Sequence, residues 1–208
     1  AMPAIKLYRH PLSGHSHRVE LFLSILGIVP ELIDVDLMKG EQKQADFLNK
    51  NVFGQVPVLQ DGNILLSDSN AILCYLASKY DPRRTWLPTE TLAASDVQRF
   101  LSIAAGPISS GPAAARLANV FGAGLDHQRA IEQSHALFTV LNTHLQSRTW
   151  LAGEKPTIAD VANYTYVAHA PEGDISLADY PNIRAWLESV EHISGFVPMQ
   201  STKAGLAA

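Results

Sequence analysis

The hydrophobic pattern of this chain changes character once, between residues 81 and 90, and that change narrows the folds open to it. Before it, strand-like and helix-like segments alternate. Ile5 to Tyr8 is short, apolar and aromatic, and a turn cluster follows over residues 11 to 16. Val19, Phe22, Leu23 and Leu26 then recur at i, i+3, i+4 and i+7, one face of an amphipathic helix. Gly27 is placed to end that helix. Leu32, Ile33, Val35 and Leu37 make a short β-rich run, and the polar residues 41 to 50 read as a loop with a short helix. Val56 to Leu59 and Ile64 to Leu66 flank Asp61-Gly62-Asn63, a strong hairpin signal. Asp68 to Tyr80 reads as a helix capped by Ser67 or Asp68. This order predicts an α/β unit with a mixed sheet over residues 1–82.

Residues 81 to 90, Asp-Pro-Arg-Arg-Thr-Trp-Leu-Pro-Thr-Glu, carry two prolines and no periodicity. The linker is expected at 83–90. Beyond it strand signals nearly vanish, and 91–208 reads as an all-α domain. Residues 91 to 105 form one predicted helix, with Gly106-Pro107 and Gly111-Pro112 expected to kink or end it. A long helix is predicted over 126 to 147. Thr157-Ile158-Ala159-Asp160 opens another through a capping box, and Pro181 starts the last.

Composition excludes several function classes. The net charge of −4 leaves no basic footprint for nucleic acid. No apolar run approaches the roughly 18 residues of a membrane span. The first residues lack the features of a secretory signal, and a single cysteine, Cys74, fits a reducing cytoplasm. A cytoplasmic protein is therefore expected. The histidines and Cys74 show no metal-ligand spacing, so no metal is implied.

Three places carry chemistry, each with two readings. Ser13 lies where a strand turns into a helix. Either Ser13 or Ser16 simply caps that helix, or the Ser13 hydroxyl donates a hydrogen bond to an anion such as a thiolate. Val56-Pro57 opens a strand. The bond is either an ordinary trans one or cis, the latter turning the Val56 backbone outward to pair with a peptide-like ligand. Ser67-Asp68-Ser69-Asn70 again leads a strand into a helix. It either caps the helix or holds an α-amino-carboxylate, Ser69 facing the carboxylate and Asp68 the amine.

In this order the segments resemble the glutathione transferase family over nearly the whole chain. Leu7-Tyr8-Arg9-His10-Pro11-Leu12-Ser13, with Arg18-Val19 and Leu26-Gly27-Ile28 following, is similar to the first strand and helix of serine-type members, especially phi-like and bacterial ones. Asn51-Val52-Phe53-Gly54-Gln55-Val56-Pro57 resembles the family's Asn-Pro-x-Gly-x-Val-Pro stretch. Asp68-Ser69-Asn70-Ala71-Ile72 resembles Glu/Gln-Ser-x-Ala-Ile. Leu151 to Asp160 resembles the family's folding signature, and Tyr180 to Trp186 its late helix.

The resemblance implies a thioredoxin-like domain holding glutathione as co-substrate, a helical domain lining a hydrophobic pocket, and a homodimer. By the same resemblance Ser13 is the thiolate-stabilising hydroxyl, and Val56 pairs by its backbone with the cysteinyl part. Asp68 and Ser69 clamp the γ-glutamyl part. Lys43, with Gln42 beside it, falls at the glycyl carboxylate, and Gln55 falls at a contacting position. His15 stands where bacterial relatives often carry asparagine; inside the site it would tune the thiolate, outside it would face solvent. The implied activity is attack of glutathione thiolate on hydrophobic electrophiles, a detoxification chemistry. The alternative is a non-catalytic binding or regulatory protein that keeps the fold. Thiol reduction is disfavoured because the turn carries Ser13 and Ser16, with Cys74 in mid-helix.

Overall fold

A computed structural model describes residues 4–203 of the chain. Two compact units emerge among these residues: one runs to Pro82 and adds Ser194–Gln200, the other comprises Arg83–Ile193 and residues 201–203.

The first unit is built on four strands: β1 (Ile5–Arg9), β2 (Glu31–Asp34), β3 (Val58–Asp61) and β4 (Ile64–Ser67). Their order is β2-β1-β3-β4. β1 and β2 are parallel, whereas β1–β3 and β3–β4 are antiparallel, which makes the sheet mixed. The parallel pair needs a crossover, and α1 (Gly14–Ile25) supplies it. A 3-10 turn at 41–43 and the single-turn α2 (Ala45–Leu48) lead into β3, and α3 (Ser69–Tyr80) follows the hairpin. Leu7 and Leu59 of the sheet are fully buried, as are Val19, Phe22 and Leu23 of α1 and Ile72, Leu73 and Leu76 of α3. This is the thioredoxin-like arrangement.

β2 is shorter than its apolar run. It pairs only with the five-residue β1 and ends at Asp34, with Leu32 left 42% exposed on the sheet's edge. The residues after the last helix return to this unit. His17 Nε2 lies 2.7 Å from the Val197 carbonyl, and Ser24 Oγ donates to the Gly195 carbonyl at 2.6 Å.

The second unit holds α4 (Thr91–Ala105), α5 (Ala114–Val120), α6 (His127–His144), α7 (Ile158–Ala168) and α8 (Pro181–Glu191), and among its described residues there is no strand. The first Gly-Pro pair ends α4 as expected, and the second is absorbed into a helical stretch. α4 ends at Ala105, but a π-helical stretch, Ser109–Ala113, takes in Pro112 and runs straight into α5. The wider π turn relieves the clash between a proline ring and the carbonyl four residues back.

The capping box at Thr157 forms as the sequence predicts, and tertiary structure adds to it. The fully buried Asp160 carboxylate accepts from Thr157 N at 3.0 Å, Leu151 N at 2.9 Å and Trp186 Nε1 at 2.9 Å. Burial pushes its pKa up to about 6, against the pull of these hydrogen bonds.

Candidate functional site

Strand register gathers the candidate residues at one end of the sheet. Tyr8 near the end of β1 pairs with Val58 at the start of β3, and Val58 pairs with Ser67 at the end of β4. The turn after β1, the loop before β3 and the turn after β4 therefore leave the sheet together. They carry Ser13, Val56 and Asp68-Ser69 respectively.

Ser13 is the N-cap of α1 and nearly buried. Its Oγ accepts from Ser16 N at 3.1 Å, while Ser16 Oγ accepts from His10 N at 3.3 Å. Capping occupies a lone pair of the Ser13 hydroxyl, and the hydrogen stays available for an acceptor near the helix N-terminus. The two readings of Ser13 are thus compatible.

The Val56-Pro57 bond is cis. Val56 lies just ahead of the first ladder pair and packs on the small cluster of Val35, Phe47 and Val58. Asn51 Nδ2 donates to the Gln55 carbonyl at 2.9 Å, and Asn51 Oδ1 accepts from Phe53 N at 3.1 Å, which shapes the loop from inside. Gly54, at φ +60°, lets the 3-10 turn approach: a Cβ there would lie 2.9 Å from the Gln42 carbonyl and 3.0 Å from Lys43 Nζ. Lys43 Nζ is 3.5 Å from the Phe53 carbonyl. Lys43 thus reaches the loop that carries Gln55 and Val56. The side chains of both Lys43 and Gln55 face solvent.

Asp68 caps α3, its Oδ2 accepting from Ala71 N at 2.9 Å. It does so from φ +73° and ψ +113°, a backbone region that non-glycine residues seldom occupy. Ser69 beside it is buried, and its Oγ accepts from Arg18 Nη1 at 2.8 Å. Arg18 is a member of the site that motif reasoning passed over as part of the α1 pattern. The signal was present: an arginine inside an otherwise apolar helix face, itself only 1% exposed. His15 is half-buried, with its Nδ1 3.2 Å from Arg18 Nη1. Burial, and then the Arg18 charge, push the His15 pKa down to about 3.

The only cysteine is poorly suited to act as a nucleophile. Cys74 is half-buried in α3, and burial together with the Asp68 charge raises its thiol pKa. Among the described residues no group of three or more His, Cys, Asp or Glu is arranged to hold a metal ion. No helix among them is long and apolar enough to cross a membrane.

The arrangement suits a peptide-like anion: two helix N-termini, a strand-entry backbone and a lysine converge on one end of a mixed sheet. Comparison with known proteins identifies the family. Residues 3–78 match the family profile of the glutathione S-transferase N-terminal domain, and residues 126–193 match that of its C-terminal domain. The chain is 33% identical over 200 residues to glutathione S-transferase 3 of Zea mays, covering 91% of this chain and 90% of that protein. A solved glutathione S-transferase from Pseudomonas fluorescens Pf-5 superposes with a TM-score of 0.88 at 29% identity, covering 95% of this chain and 99% of that one. A glutathione transferase homolog from Drosophila mojavensis, solved with bound glutathione, superposes with a TM-score of 0.83 at 26% identity, covering 92% and 89%. The chain belongs to the glutathione S-transferase family.

Proposed function

We propose that this protein is a serine-type glutathione transferase that joins glutathione to electrophilic, mostly hydrophobic small molecules. The observation that carries this reading is the Ser13 hydroxyl. It sits at the N-terminus of α1 with its lone pair used in capping and its hydrogen left to donate. A thiolate placed there accepts that hydrogen and gains from the helix dipole, so the bound thiol ionises below its ordinary pKa of roughly 8.5. The thiolate then attacks the electrophilic carbon, forming a sulfur–carbon bond as a leaving group departs or a double bond takes up a proton. The protein supplies position and charge stabilisation, not a covalent intermediate. Isomerisation, dehalogenation and peroxide reduction draw on the same thiolate.

In this reading the Val56 backbone pairs with the cysteinyl unit, and Ser69 and Asp68 hold the γ-glutamyl carboxylate and amine. Lys43 and Gln55 face the glycyl end. Residues 1–82 form the glutathione domain, 83–90 the linker and 91–208 the helical domain that takes the second substrate. The protein works in the cytoplasm as a homodimer, in detoxification.

An ultraviolet difference titration of glutathione in the presence of the protein tests the reading, following thiolate absorbance against pH. A thiol pKa moved down toward neutrality supports the transferase. Binding without a shift points to the non-catalytic alternative, and no binding at saturating glutathione overturns both.

A further inference from the structure

Arg18 is a charge buried where an aliphatic side chain would pack, and the helix around it is otherwise apolar at Val19, Leu21, Phe22 and Leu23. A buried guanidinium is retained at an energetic penalty unless its hydrogen bonds have a use. Its Nη1 uses one hydrogen on Ser69 Oγ at 2.8 Å and faces His15 Nδ1 at 3.2 Å with the other. The neutral His15 ring keeps its lone pair at Nδ1, so the pair of acceptors fixes the guanidinium plane.

The chemistry of that contact is one-directional. A guanidinium only donates, so Ser69 meets Arg18 only as an acceptor, and its own hydrogen must be directed at some other group. At the N-terminus of α3, next to Asp68, the group that suits it is an anion. We propose that Arg18 is a positioning residue for glutathione, orienting Ser69 to give its hydroxyl hydrogen to the γ-glutamyl carboxylate. The proposal rests on the glutathione reading above and assigns a residue that contacts glutathione only through Ser69.

The test compares two ligands by isothermal titration calorimetry: glutathione, and 4-aminobutyryl-cysteinyl-glycine, which lacks only the γ-glutamyl carboxylate. The variants are Arg18→Gln, Arg18→Lys and Ser69→Ala, each checked for folding by circular dichroism. Arg18→Gln is expected to bind glutathione about tenfold or more weakly, the scale of a hydrogen bond to a charged group. The analogue's affinity stays where it was. Arg18→Lys, also a pure donor, restores part of the loss. Ser69→Ala shows the same selective loss, and it keeps the question decidable if Arg18→Gln fails to fold. In turnover the loss appears in KM for glutathione, with kcat at saturation nearly unchanged. Equal weakening of both ligands, or full glutathione affinity in Ser69→Ala, overturns the role of Arg18 while leaving the transferase reading intact. Failure of the parent chain to bind glutathione overturns both.

Discussion

A single hydroxyl at Ser13 serves helix α1 through its lone pair and, in the proposed chemistry, a thiolate through its hydrogen. Ser13→Ala removes both at once, and the two losses are separable. Loss of the cap lowers stability by about 1 kcal/mol. Loss of one donor to a developing or bound anion lowers kcat/KM by about 100-fold, with glutathione affinity little changed. Steady-state rates with an activated aryl chloride, set beside the thiolate titration, distinguish these effects. At the same scale Glu172 shows how burial and pairing compete. Burial alone would raise its carboxyl, but hydrogen bonds from Arg116 Nε at 2.9 Å, from Thr202 and from His169 Nδ1 at 2.7 Å bring it down to about 2. A carboxyl held below its ordinary value stabilises the fold above about pH 4.5 and loses that contribution as pH falls toward 2. Glu172→Gln is therefore expected to lower unfolding free energy by about 3 kcal/mol at pH 7, because the buried Arg116 loses its counter-ion. The gap to the parent protein narrows as pH falls from about 4.5 toward 2, as read from urea unfolding at each pH.

At the scale of elements, periodicity and turn chemistry located nearly every helix and strand, since both are properties of neighbouring residues. The hairpin at Asp61-Gly62-Asn63, the start of α7 at Thr157 and the start of α8 at Pro181 all lie where local signals put them. The stretch from Gly106 to Arg116 did not read as cleanly. The break expected at Gly106-Pro107 ends α4 at Ala105, whereas Gly111-Pro112 sits in a π turn that runs into α5. Gly111 faces α6 so closely that a Cβ would lie 2.9 Å from Ser134 Oγ, a constraint visible only once both helices are in place. Gly54 works similarly in the loop before β3. Gly54→Ala places a side chain 2.9 Å from the Gln42 carbonyl at a positive φ, which predicts a stability loss of about 1–2 kcal/mol from the left-handed backbone alone. It also displaces the Lys43 turn, so glutathione affinity falls while the thiol pKa of whatever glutathione is bound stays low. Calorimetry and the ultraviolet titration read the two separately.

For the molecule as a whole, Val52 and Phe53 stand 78% and 72% exposed on the loop that also carries Gly54, Gln55 and Val56. These adjacent exposed apolar side chains make the loop the surface at which to test a protein–protein contact. In the homodimer proposed above, light scattering gives about twice the chain's 22.6 kDa, and Phe53→Ser shifts the population toward one copy. Unchanged dimer in Phe53→Ser would remove that loop from the interface. The sequence by itself determined the order of elements, the mixed sheet, the all-helical second half and the family. Each of these is written in short-range patterns: strand and helix periods, a hairpin turn, a capping box and motifs of a few residues. Tertiary structure alone decided which end of the sheet collects Ser13, Val56 and Ser69, because that depends on strand register. It also decided that Arg18 serves Ser69, 51 residues away, and that Arg116 serves Glu172, 56 residues away. A charge on a helix face has no readable partner until packing removes water around it and brings acceptors within reach.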